Sequence, residues 1–295
     1  LAYRVGVMMV AAGIFQPLVP TLPVFRQESQ NVEGAVAFMR RSHVSPALFN
    51  TYHLGGQLAW YGSPDYLPFI HGLTSMFGDD LLKRYGDVVN GGQSVLDHFG
   101  VQTLVLGYPL LPGDATGQCL AWVEASPLWK LVYFDDDALV YVRAGTTLPT
   151  YQHVVPGKPD AWHLSDAGVA EELARSVADA PTACVTNCWL GQTVQASDPA
   201  RAVELYRTAE LAHPANPLPH FCLGQAYGGL GRLGVARAEY ERGWSLGQGT
   251  AIDAINLAKI CDKQGDAGAA HHWIDKALLL SPGDPRATAI QQSLH

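Results

Sequence analysis

His53 and His71 each stand close to glycines, with Asp65 and Asp79 not far along the chain. Imidazoles beside a carboxylate can form a polar site or ligate a divalent metal. Their spacing matches no ligand pattern, so histidines satisfied within the fold are the simpler reading. Asp135, Asp136 and Asp137 in a row could bind a cation, although acids in a hairpin turn are more commonly just solvated. Five cysteines occur, Cys119, Cys184, Cys188, Cys222 and Cys261, without any CxxC pair. Cys184 and Cys188 would share one face of a helix, where thiols act as small buried hydrophobes. The motifs of serine hydrolases, phosphate-binding loops, zinc proteases and EF-hands are all missing from the sequence. The residues therefore predict no catalytic set, no metal and no cofactor, with His53 and His71 kept as a possible polar site.

The elements that would carry these residues fall into two classes. Residues 23–145 predict an α/β unit, a small mixed sheet with packed helices. Residues 31–42 have a helical apolar face of Val32, Ala35, Val36 and Met39. Residues 47–52 and 57–60 predict strands around Gly55 and Gly56, and 67–71 a further short strand. Residues 79–89 predict a helix with Leu81, Leu82 and Tyr85 inward, and 94–99 another, ended by Gly100. The apolar run at 103–107 suits a buried strand, and 131–134 with 138–142 a hairpin. Residues 146–180 are a proline-rich linker and a connecting helix. The tryptophans predict core or interface anchors, with Trp162 in the linker placed for an interface.

Beyond the linker the sequence repeats. Ala202, Ala236 and Ala270 lie 34 residues apart, as do Tyr206, Tyr240 and Ile274, and then Ala209, Gly243 and Ala277. Leu223 pairs in the same way with Leu257, Tyr227 with Cys261, and Gly231 with Gly265. Small residues let two antiparallel helices cross closely, and the large one plugs the space between hairpins. Glycine makes the turn where φ is positive, and Pro214 and Pro282 stop the second helix. This is the period of the tetratricopeptide (TPR) repeat, and residues 181–295 resemble a TPR array. The pattern has three second helices, two clear first helices, a poorer one over 183–197 and a capping helix over 286–294. By its register, Phe221, Gln225, Ile255, Lys259 and Asp262 line the inner groove of such an array. Their mixed character predicts a broad interface with a protein partner rather than a clamp for an anionic peptide.

The charge balance is -8 with no long basic run, which gives no electrostatic footprint for nucleic acid. Residues 5–20 are uncharged, behind Arg4, and predict a membrane anchor or the end of a membrane helix within an apolar segment 1–22. Arg4 on that flank would place the bulk of the chain on the periplasmic or other extracytoplasmic side. The runs FNTYHLGGQLAWYGSPDYLPFIHG, FGDDLLKRYGDVVNGG, VLDHFGVQTLVLGYPLLPG and LWKLVYFDDDALVYVR resemble the soluble domain of bacterial GT-C type membrane glycosyltransferases, which use lipid-linked sugars. Phe49, Asn50, Tyr52, Gly55, Gly56 and Leu58 keep that pattern. His53 stands where aspartate is usual, Leu54 where tryptophan is, and His71-Gly72-Leu73 where Asp-Gly-Arg is. The resemblance implies descent and an extracytoplasmic setting more than an activity. The expected function is a non-catalytic interaction subunit or assembly factor that braces a membrane complex. The alternative is the soluble part of such a glycosyltransferase.

Overall fold

The computed structural model describes residues 31–72, 78–108, 115–156, 166–247 and 249–294. The apolar segment 1–22, Leu73 and Trp162 lie outside the described residues, so the anchor, and the interface placement of Trp162, find no test in the fold. Among the described residues no helix is long and apolar enough to cross a membrane.

The first unit holds α1 (Glu33–Arg41), β1 (Leu48–Asn50), α2 (Gly78–Val89), α3 (Gln93–His98), β2 (Thr103–Gly107), α4 (Ala115–Ala125), β3 (Trp129–Phe134) and β4 (Ala138–Arg143). The four strands form one mixed sheet in the order β1-β2-β4-β3, with β1 and β2 parallel and the other pairs antiparallel. All five residues of β2 are buried, as expected for a central strand covered on both faces. On one face α1 packs Val32, Ala35, Val36 and Met39 against Val105, Val140 and Val142. On the other, Cys119, Leu120 and Val123 of α4 meet Leu104, Leu106 and Leu139. The apolar residues of α4 do not fall on one stripe, so periodicity gave no sign of this helix.

Two expected strands are not strands. Residues 57–60 lie in a run of tight helical turns over 52–62, and 67–71 form a loop. Gly55 has φ -60 and ψ -39, helical values open to any residue; glycine is required because the backbone of Ile70 and His71 closes directly on it and leaves no room for a Cβ. The Asn50 carboxamide fixes that loop. Its Nδ2 donates to the carbonyls of Thr51 and Ile70, both at 2.9 Å, and its Oδ1 accepts from Phe69 N at 2.8 Å. A buried amide with both ends paired substitutes for a strand ladder here. In α2 Tyr85 packs inward as expected, stacked on Phe49 at 5.6 Å between ring centroids, and Val88 and Val89 are buried beside it, while Leu82 is exposed.

The second unit begins with α5 (Ala167–Asp179), whose N-cap Asp166 accepts from Gly168 N. Three helical hairpins follow: α6 (Cys184–Val194) with α7 (Pro199–Ala212), α8 (Leu218–Gly229) with α9 (Leu233–Leu246), and α10 (Ala251–Lys263) with α11 (Ala267–Leu280). A last helix, α12 (Pro285–Ser293), covers the end. The 34-residue period maps onto the packing. Ala202, Ala236 and Ala270 are fully buried, and so, to within 1%, are Tyr206, Tyr240 and Ile274. Gly231 and Gly265 take φ +72 and +78 at the hairpin turns, a region that costs any residue with a Cβ. One core runs through all three hairpins. Each large plug in it contributes about 1.5–3 kcal/mol by leaving water.

The two units are joined by more than chain connectivity. Val169 and Leu173 of α5, Leu190 of α6 and Leu205 of α7 share a core with the sheet. The linker is pinned at 152–154, where Glu172 accepts backbone N–H groups from Gln152 at 2.5 Å, His153 at 3.0 Å and Val154 at 2.8 Å. Ser176 Oγ donates to the Phe134 carbonyl at 2.8 Å.

Candidate functional site

A groove of about 220 Å³ lies along the first helices of the second and third hairpins. Gly224, Gly228 and Gly229 of α8 keep its floor low. Gln225 comes from α8, and Asn256, Lys259 and Lys263 come from α10. Lys259 and Lys263 are one turn apart, so both ammonium groups reach the same stretch of surface. Of the five residues expected in the groove, the structure brings Gln225 and Lys259 together there, both exposed. Phe221 is buried against Trp244 and Tyr240, 5.8 and 6.3 Å between ring centroids, and Ile255 is buried too. Asp262 is exposed but does not line the groove. A first-helix register alone cannot separate the residues that face the groove from those one position round the helix that face the neighbouring hairpin. Lys263 and Asn256 were legible in that register but sit one turn to either side of Lys259.

His53 falls in the tight turn Tyr52–Leu54 and is exposed, while His71 follows the pinned loop and is half-buried. The two are close in the fold, since His71 lies against Gly55. Asp65, one of the carboxylates expected to complete a polar site, is instead ion-paired with Arg40 at 2.9 Å. All five cysteines are free and buried. Burial pushes the Cys119 thiol up to about 12, and the buried Cys188 packs against the thiols of Cys184 and Cys222. A thiol raised in this way by burial, as Cys119 is, stays protonated.

Of the three turn acids Asp135 is buried and Asp136 and Asp137 are half-buried, so they do not stand free in solvent. Asp135 is buried, accepts N–H groups from Asp137 at 2.8 Å and Ala138 at 2.7 Å, and is bonded by the Tyr133 hydroxyl. Asp136 points across to α6. Burial pushes Asp135 up to about 6; burial and the neighbouring Asp135 push Asp137 up to about 7. An unfolded aspartate titrates near ~3.9. Between these values the folded chain holds protons that the unfolded chain has released. The stabilisation they give is complete below the unfolded value and is lost as pH rises through about 7. The urea midpoint is therefore expected to fall between pH ~5 and ~8 from these groups, and Asp137→Asn to flatten that slope. An unchanged slope in the variant would place the titrating group elsewhere.

A polar group that sequence reasoning missed lies between the first two hairpins. Glu210 of α7, His220 of α8 and Glu239 of α9 bring one donor atom each within 4.8 Å of one another, and among the described residues theirs is the group of this kind. Histidine and glutamate scattered over 30 residues carry no spacing signal, so only the fold reveals it.

No model of a known protein family matches the sequence, and no curated protein matches it. Several solved structures are similar to parts of the chain. YrrB, described as a TPR protein with an unusual peptide-binding site, is 14% identical over 42% of this chain and 65% of its own, with a TM-score of 0.40. The chain thus spans about two thirds of that protein's length. A thermophilic TPR protein of Thermus thermophilus is 15% identical over 75% of this chain and 93% of its own, at 0.41. PilW, a type IV pilus biogenesis factor, is 22% identical over 42% and 59%, at 0.37. At such scores the TPR-like character rests on the period and packing of this chain itself.

Proposed function

We propose that the chain is a protein-interaction scaffold whose array holds an extended segment of a protein partner in the groove between α8 and α10. The observation that carries this reading is the glycine-floored groove itself, with Gln225, Asn256, Lys259 and Lys263 along it. Glycines let a partner backbone come close and the two amides offer both donors and acceptors; with Lys263 beside Lys259 the groove favours a segment bearing carboxylates, in place of the charge-neutral interface the register alone predicts. The rest of the reading extends this. The scaffold braces a larger membrane complex on the extracytoplasmic face, tethered through residues 5–20. The α/β unit serves as its rigid base.

The alternative, a soluble part of a GT-C type glycosyltransferase, has less support in the fold. Two of the residues that carry the resemblance, Asn50 and Gly55, are occupied in closing the 52–71 region on itself. Residues of that kind maintain a shape and leave chemistry to others.

Mild-detergent extraction from native membranes, followed by native mass measurement, tests the scaffold reading. The expected result is a stoichiometric assembly well above the chain's 31.8 kDa. The double variant Lys259→Glu with Lys263→Glu is expected to weaken partner capture at least ~10-fold while leaving the fold intact, since both side chains are exposed. A chain that migrates alone, or capture indifferent to charge reversal, would reject the groove as the docking surface.

A further inference from the structure

The buried polar group between the first and second hairpins is arranged as a ligand set. His220 Nδ1 lies 2.8 Å from Glu239 Oε2 and 3.9 Å from Glu210 Oε1. Three donors on a tetrahedral zinc ion at ~2.1 Å would stand about 3.4 Å apart, midway between these two distances. The remaining oxygens are held from outside. Arg207 donates from Nη1 to Glu210 Oε2 at 2.5 Å and from Nη2 to Glu239 Oε1 at 2.7 Å. Each glutamate is thereby oriented by its outer oxygen and keeps its inner one toward the imidazole, as partners behind a metal ligand do. His220 is 4% exposed and Glu239 9%, while the Glu210 side chain is 23% exposed and gives a way in from solvent.

A second observation is independent of these distances. One period on, positions 210, 220 and 239 become Trp244, Ala254 and Trp273. There the same junction is filled by the two indoles, 5.4 Å between centroids, over a fully buried alanine. The repeat therefore packs at this place without a histidine–carboxylate set, with only the Lys276 ammonium lying over the indoles, 4.0 Å from the Trp244 ring centroid. Two buried ionisable residues and a half-buried third, where two indoles and an alanine suffice, are costly unless something is gained from them.

We infer that Glu210, His220 and Glu239 form a binding site for a divalent ion of the zinc kind, cross-linking the first hairpin to the second. One imidazole and two carboxylates suit such an ion, whereas calcium and magnesium prefer all-oxygen sets. Three protein ligands leave a fourth position, on the Glu210 side, for water or for a group from a partner.

The test uses the full chain, dialysed free of metal and then given zinc chloride, with elemental analysis after gel filtration and a thermal melt. One equivalent retained per chain, with a melting temperature raised by zinc, is expected. Glu210→Gln removes the most exposed ligand and is the variant safest for folding; it should lower affinity at least 10-fold. His220→Gln should abolish retention. If the wild type retains no stoichiometric zinc, the four residues are an ion-pair network only and the inference falls. It falls equally if both variants retain zinc as the wild type does, which would place the ion at surface histidines such as His271 and His272. Neither outcome bears on the groove, which is read by partner capture.

Discussion

Gly224→Ala destabilises the chain, and combined with Tyr240→Ile it costs less than the two changes added together. In a helix interior, alanine in place of glycine ordinarily stabilises by about 1 kcal/mol. Here a Cβ on Gly224 would meet Tyr240 Cδ2 at 2.6 Å, and the ring, 1% exposed, has no free space to move into. Overpacking of this kind costs about 1–3 kcal/mol. Tyr240→Ile alone leaves part of the ring's space unfilled in a fully buried position, at about 2–4 kcal/mol. The third hairpin carries the other solution. Where the plug is Ile274, position 258 is alanine, and both are fully buried. The first hairpin again pairs tyrosine with glycine, since a Cβ on Gly191 would run into the Tyr206 ring. The two changes together copy a pair the array already uses. The expected coupling is about 2 kcal/mol in a double-mutant cycle followed by urea unfolding. Costs that simply add would show that Gly224 and Tyr240 are not a matched pair.

That pairing shows where the sequence was readable and where it was not. Ala202, Tyr206 and their counterparts are visible because packing between repeats demands the same size at the same register each time. Gly224 reads from the sequence only as a helix contact within a glycine-dense run, because glycine is required only opposite a tyrosine, so the position alternates with alanine and the rule lives in the pair. The sheet hairpin and the buried strand at 103–107 were visible from apolar runs. The strands expected at 57–60 and 67–71 were not formed, because the Asn50 amide and a backbone closing on Gly55 are tertiary contacts with no local pattern. The groove suffers similarly. The register finds Gln225 and Lys259, but places Phe221 and Ile255 beside them, because a TPR first helix is buried on two sides and a one-position rotation changes which side a residue meets. His220 with Glu210 and Glu239 lies wholly outside such reasoning, since no periodicity links them.

Asp136→Ala is expected to release the array from the α/β unit. Helix α6 has no capping side chain of its own, because Ala183 stands at its N-cap. Its first amides are instead taken by Asp136 from the β3–β4 turn, which accepts from Cys184 N, from Val185 N at 3.0 Å and from Thr186 N at 3.4 Å. A carboxylate at a helix N-terminus also opposes the helix dipole. Burial raises the pKa of Asp136, and the three N–H groups work against that rise. Removing the side chain leaves those amides without partners beside the buried Cys184, at about 2–3 kcal/mol. Asp136→Asn keeps an acceptor and loses the charge, so it should cost about half as much. The consequence is local before it is global. Hydrogen exchange of the α6 amides should accelerate by about 30- to 100-fold in Asp136→Ala, while the α10 amides, two hairpins away, change little. If α6 exchanges as in the wild type, the shared core of Leu190, Leu205 and Leu173 with the sheet holds the units together unaided. A uniform acceleration through α10 would mean instead that the α/β unit nucleates the whole array, and that the base and the groove are a single cooperative body.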